Sequence, residues 1–537
     1  MTKRAFFTAL ALLCLLTAPS RHVATAAPPA ASHSIVVSGT IEIEVAQYVS
    51  TGNPAKPHEY DVLYITQPLR HVLIEVWDDG APFDTKLTTV PAQIRTDQNG
   101  YFVAVVESDE PSGMDPYIRI WATDNESIEV KGPSGAGIYT VRFSSIGTDL
   151  SSGAYTVDRV LTQSYPAGHL EAFFIFDLLA NDGYRQLPAR LGAWAQAQPL
   201  TVRWPQGCLQ WVDNSCYTGE IQVYLEDGWD RDVLLHEYGH FILGHGLNNH
   251  IPIISACAPG FSHDAGVHLS ESCAWSEGWA NFFQAAIQDS PNYHNTSYER
   301  GLTSLPFDVR PRDIETPSLS DGDIPATDAS HPDLRTAEMA VAAVWWDIYD
   351  VAAPSESWDV LNNSLIAPNG GIWEVMTDAN HQSGFAQFWT GWKLHVGRHL
   401  CEVSTIMQEN EIDLGNPQPY TISVVSSNLA LGSTTVIYPT APNCLNGKYF
   451  GADPPAWPGF TFYAFPLAPA RLAYWDIAVG PYNLTNTPSL SSLILYAEGN
   501  QATTALDESL FAFNLYDYPI TFTAKFLWEV FLPLLLR

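Results

Sequence analysis

A chain of 537 residues, 46% hydrophobic and only 15% charged, is long enough for two to four packed domains and is too apolar to be a disordered acidic tail. Its formal net charge of −33, from 25 Lys and Arg against 58 Asp and Glu, repels nucleic acid and anionic membrane surfaces, so neither is expected as a partner. The charge says nothing about which substrate or ligand the protein takes.

The first residues place Lys3 and Arg4 before an uninterrupted apolar run, and Ala24-Thr25-Ala26 supplies a small-x-small cleavage site, so residues 1–26 read as a secretory signal peptide. The run is shorter than a bilayer-spanning helix requires, and no later stretch is long enough, so a secreted, extracellular or cell-surface protein without membrane insertion is expected. Cys14 leaves with the leader. The six that remain (Cys208, Cys216, Cys257, Cys273, Cys401, Cys444) form an even set in an oxidising compartment and contain no C-x-x-C pair, which predicts disulfides and not a zinc ribbon. Proximity in sequence suggests the pairs Cys208–Cys216, Cys257–Cys273 and Cys401–Cys444.

From residue 27 to about 160 short bursts such as Ile41, Ile43, Val45 and Val72, Ile74, Val76 alternate with polar positions and are separated by Gly, Pro and Asp/Asn turns, the pattern of a β-sandwich of roughly seven strands. The segments PLRHVLIEVWDD, TDQNGYFVAVV and PYIRIWATD resemble the carboxypeptidase-regulatory-like or transthyretin-like accessory domains of secreted proteins, with Asn99-Gly100 as the tight turn. That resemblance implies a spacer or binding module, not a catalytic one.

Near Gly168 the period changes. Ala172, Ile175, Phe176 and Leu179 share one helical face, and a domain spanning 161–415 continues with a strand-like IQVYL at 221–225, the helix carrying HEYGH, a second helix at about 276–289 and a third, RTAEMAVAAVWWDIYD. The Pro/Asp-rich stretch 306–332 reads as a solvated connection. Calcium binding there is the alternative, unsupported because no D-x-[DN]-x-[DN]-G loop is present. From 416 to 537 the helices stop and strand bursts return, giving a C-terminal β-domain. Its last residues, FLWEVFLPLLLR, read as the end of the last sheet, and their likeness to the C-terminal tails of some bacterial exported proteins makes cell-surface retention the alternative.

The chemistry is carried by RDVLLHEYGHFILG. With Asp230 as N-cap, His236 and His240 lie one turn apart on one face, where two imidazoles reach one zinc, while Glu237 projects beside them toward a metal-bound water. The third ligand of a metzincin is excluded, since Leu243 and Gly246 stand where that pattern needs Gly and His. Downstream, ESCAWSEGWANFFQAAIQD offers Glu277 on a helix whose Trp279, Phe282, Phe283 and Ala286 can pack beside the first, completing a His2Glu site with a fourth position open. His245, His250, His263 and His268 lie in the long intervening segment, where no rigid element fixes their distance to the pair.

HEYGH, SEGWANFF and, more weakly, AVWWDIYD resemble the gluzincins, and among them the fungalysin-like secreted peptidases, over roughly residues 168–410. The resemblance implies an α+β zincin-like fold, one Zn2+ held by His236, His240 and Glu277, and a protein or peptide substrate. Two departures stand out: the gap between His240 and Glu277 is long, and Asn281 stands where many gluzincins have an aspartate behind a ligand histidine, leaving an amide oxygen to accept the ligand-histidine N–H. In the resulting mechanism Glu237 is the general base, and Tyr349, His331 and His381 are the candidates for the oxyanion donor. The strand at 221–225 is either an edge on which an extended substrate pairs or an ordinary strand. The whole reads as a multidomain enzyme, an α+β zincin-like domain between an N-terminal β-sandwich and a C-terminal all-β domain. An endopeptidase is the first reading and an exopeptidase the nearest alternative, although the G-x-M-E-N motif of the aminopeptidases is absent. The alternative from another class is an inactive pseudopeptidase serving as a cell-surface binding or adhesion protein.

Overall fold

The structure, a computed structural model, describes residues 33–56, 59–80, 83–109, 113–163, 169–187, 199–208, 215–246, 257, 266–294, 307–308, 312–350, 371–376, 384–396 and 400–412, together with the backbone of strands between 422 and 528. The leader, residues 529–537 of the C-terminal tail, His250, His263, His381 and Cys444 therefore lie outside the described residues.

The N-terminal part is built on β1 (His33–Ser50), whose buried Ile35, Val37, Ile41, Ile43 and Val45 alternate with outward-facing neighbours, the period-two pattern of a half-buried strand. On either side β1 pairs antiparallel with β2 (Glu59–Pro68) and β3 (Tyr101–Ser108). A second sheet holds the antiparallel pair Leu73–Asp78 and β4 (Pro116–Trp121), and its Ile74, Val76, Ile118 and Ile120 are buried in the same core as the inward side chains of β1. Gly100 takes φ +74° in the turn before β3, and a Cβ there would lie 2.4 Å from the Ile41 carbonyl oxygen, so both conformation and space require glycine.

The sandwich shares a sheet with the helical region. β5 (Ile128–Lys131) pairs parallel with β6 (Leu200–Arg203), which pairs on its other side with β7 (Ile221–Gln222). Apolar packing is correspondingly continuous: one buried cluster runs from β1 through Val130 and Val202 to Leu234, Trp279 and Trp345. The expected helix after residue 168 is present as α1 (Leu170–Asp177), extended by a π-type segment over Leu178–Arg185.

α1 is also where the sandwich is pinned by charge. The carboxylate of Asp177, 1% exposed, accepts from the backbone N–H of Arg70 at 2.8 Å and from its guanidinium, with Nη2 at 2.6 Å. Arg70 Nη1 reaches Asp182 at 2.9 Å, and the other oxygen of Asp182 accepts from Arg231 at 2.6 Å. Burial opposes the charge on Arg70, but the paired aspartates outweigh it and raise the guanidinium pKa. Removing Asp177 leaves the partly buried Arg70 with the single contact to Asp182 and its backbone N–H without this acceptor. Asp177→Ala is therefore expected to destabilise the protein by about 1–3 kcal/mol, measured as a lowered denaturant midpoint at pH 7.

Candidate metal centre

Three helices build the site. In α2 (Arg231–Phe241) the expected N-cap is present: Asp230 Oδ1 accepts from the backbone N–H groups of Asp232 at 3.1 Å and Val233 at 3.0 Å. Beyond Phe241 the chain widens into a π-type turn over Ile242–Gly246. The second helix, α3 (Glu271–Gln288), starts earlier than the apolar pattern suggested, because Ser270 accepts from the backbone N–H of Cys273 at 3.2 Å and supplies the cap. α4 (Glu338–Tyr349) packs on its far side, with Trp345 against Trp275, Trp279 and Phe282.

Glycine sets how closely these helices approach. A Cβ on Gly239 would lie 3.0 Å from Ala280 Cα, and one on Gly278 would lie 2.4 Å from Val341 Cγ1 and 2.7 Å from the Glu338 carbonyl oxygen. Trp279 Nε1 donates to the Gly239 carbonyl at 3.2 Å and ties α3 to α2 at the same level. Gly239 lies between His240 and Tyr238, and Gly278 follows Glu277 directly. Close packing thus falls beside the side chains whose spacing matters.

His236, His240 and Glu277 come together, all three buried. Oε2 of Glu277 lies 3.2 Å from His236 Nε2 and 3.1 Å from His240 Nε2. Zinc bonds of about 2.0–2.1 Å in a tetrahedron put ligand atoms about 3.3 Å apart, so these separations suit one zinc ion. The donor chemistry agrees. His236 Nδ1 donates to Asn281 Oδ1 at 2.8 Å, while Asn281 Nδ2 turns to the Met339 sulfur at 3.7 Å, an orientation that keeps the amide oxygen on the imidazole. Held this way, His236 turns Nε2 toward the carboxylate, the orientation a ligand imidazole needs.

Glu237, next to the first histidine, is also buried. Two neighbours escaped sequence reasoning. Ser276 Oγ lies 3.3 Å from His240 Nδ1, giving the second imidazole a partner of its own. The ring of Tyr293 stands 6.2 Å from that of His236, and burial pushes its phenol well above the ordinary tyrosine pKa, keeping it neutral. Ser276 had a signal of a kind, since each ligand imidazole needs something to hold its second nitrogen and only Asn281 had been assigned. Nothing local marks Tyr293, which arrives on the strand pair Asn292–Tyr293 and Arg312–Asp313.

Of the oxyanion candidates, His381 lies outside the described residues, and Tyr349 and His331 have other partners. Tyr349 donates to the Ala286 carbonyl at 3.2 Å inside the α3–α4 interface, more than two turns along α3 from Glu277. His331 stacks on His268 with ring centroids 4.0 Å apart, and His268 is itself engaged with Thr336 and the Ala326 carbonyl. The strand at 221–225 shortens to Ile221–Gln222 and is not an edge: it pairs with β6 on one side and Cys216–Tyr217 on the other, which uses both sides of its backbone. The disulfides Cys208–Cys216 and Cys257–Cys273 are present, and the pairing of Cys401 with Cys444 falls outside the described residues. Among the described residues the groups able to hold an ion are His236, His240, Glu277 and the overlapping Cys257, Cys273, Glu277; the acidic connection before α4 contributes none.

Residues 190–410 match the family model of the Mycolysin C-terminal domain, a peptidase-type domain, over less than half of the chain and including every residue of the cluster. The chain matches no curated protein. A solved structure, a 9R-lipoxygenase from Cyanothece, is similar at 13% identity over 33% of this chain and 27% of its own, with a TM-score of 0.14, too low to carry an argument about fold. This chain thus spans little more than a quarter of that protein's length.

Because Asn281 holds the ligand imidazole, Asn281→Ala is expected to weaken zinc binding by about 10–100-fold with the fold intact, read by competition with a chromophoric chelator.

Proposed function

We propose that the protein is a secreted zinc-dependent peptidase, most simply an endopeptidase. The observation that carries this reading is the convergence of two histidine Nε2 atoms on one oxygen of Glu277, with Glu237 one residue from the first histidine. The match of residues 190–410 to a mycolysin-type domain supports it independently. No helix among the described residues is long and apolar enough to cross a membrane.

When bound, zinc would supply Lewis-acid polarisation of the scissile carbonyl and lower the pKa of water toward neutrality. His236, His240 and Glu277 would hold the ion and leave its fourth position open. Asn281 and Ser276 orient the two imidazoles through their Nδ1 atoms. Glu237 takes the proton of the attacking water at its carboxylate and passes it to the leaving amine nitrogen, so one group serves as base and then as acid. Burial of Glu237 keeps bulk water from competing for that proton.

Glu237→Gln should retain stoichiometric zinc while lowering the rate of peptide hydrolysis by about 10²–10⁴-fold, since the residue moves protons and is not a ligand. Normal turnover in the zinc-loaded variant would remove Glu237 from the mechanism. Glu277→Ala should instead lose the metal and all casein-degrading activity, whereas His268→Ala should keep both. Zinc analysis of the purified variants, paired with a casein digest, separates these outcomes and also tells a peptidase from an inactive binding protein.

A further inference from the structure

The two oxygens of Glu277 stand in different settings. Oε2 faces the imidazoles, and Oε1 lies 3.3 Å from Sγ of Cys257, which is bonded to Cys273. A disulfide sulfur carries no proton, so this is a van der Waals contact and not a hydrogen bond. Cys273 precedes Glu277 by four residues on α3 and so shares its face. The disulfide therefore brings Cys257, from the segment between α2 and α3, onto the helix face that carries the third ligand.

We propose that the Cys257–Cys273 disulfide is a positioning element of the metal centre: its sulfur backs the carboxylate of Glu277 and holds Oε2 forward between the two histidines. The inference rests on the metallopeptidase reading above. A glutamate side chain has three rotatable bonds, and a ligand free to retract must give up that freedom each time an ion binds. The sulfur in contact with Oε1 fills the space into which the carboxylate would withdraw, so the ordering is complete beforehand. The bond also silences a rival. Ligand atoms of Cys257, Cys273 and Glu277 lie within 4.8 Å of one another, and reduction, in which a phosphine gives two electrons and a water gives the two protons and the oxygen of the phosphine oxide, would turn the bridge into two thiols beside the same carboxylate. Oxidation leaves Glu277 to the histidines alone.

The test compares the full-length wild type with Cys257→Ala/Cys273→Ala and, as a control for loss of a bridge elsewhere, Cys208→Ala/Cys216→Ala. Zinc affinity is measured by chelator competition, and the visible spectrum of the cobalt(II)-substituted protein reports the coordination sphere. The first variant, folded by circular dichroism, should bind zinc about 10–100-fold more weakly and show a changed cobalt spectrum, while the control matches wild type. Unchanged affinity and spectrum in the first variant, or an equal loss in the control, overturns the proposal. Should the first variant not fold, the cobalt-loaded wild type is reduced with a phosphine: a spectrum that changes as the two thiols appear supports the backstop, and an unaltered one overturns it. A wild type that binds no zinc sinks the metallopeptidase reading itself, which keeps the two failures apart.

Discussion

The candidate centre depends on the distance between two helices. A tetrahedral site tolerates errors of a few tenths of an ångström, and its donors sit on separate elements, two on α2 and one on α3. Gly239 lets α3 come close enough that a single methyl group would touch the Ala280 backbone, and Gly278 does the same for α4 on the other side. The aromatic packing of Trp275, Trp279, Phe282 and Trp345 then fills the space around those contacts. A close-packed interior transmits small displacements instead of absorbing them, so the glycines govern the geometry of the carboxylate although they touch no ligand.

That explains which parts of the site could be read from sequence. His236, Glu237 and His240 are related by helical period alone, and the cap at Asp230 is a local hydrogen bond, so both were legible. Glu277 was reachable because the apolar face of its helix implied packing beside α2. Tyr293 was not, since it meets its histidine through contacts between elements far apart in the chain, and Ser276 was marked only by the need of the second imidazole for a partner. What Tyr349 and His331 touch is likewise set by other elements. Their residue types suited an oxyanion donor, but the hydroxyl of Tyr349 is held by a helix carbonyl and the His331 ring by another imidazole.

Strand reasoning met a similar limit. Alternation correctly marked β1 as half-buried, and the turn at Gly100 followed from residue type. The register of β7 depends on which strands flank it, and those come from two separate parts of the chain, so its interior position in the sheet could not be inferred from five residues. The clamp of Arg70 between Asp177 and Asp182 was equally invisible, although each of these residues is ordinary in isolation.

The membership of β5 in the same sheet as β6 bears on how such a protein can change over evolutionary time. A unit that lends a strand to its neighbour cannot be cut away by maturation or exchanged by gene shuffling without uncovering the unpaired backbone of Leu200–Arg203, an adhesive edge that invites aggregation. The sandwich and the helical region are thus held together by backbone as well as by side-chain packing.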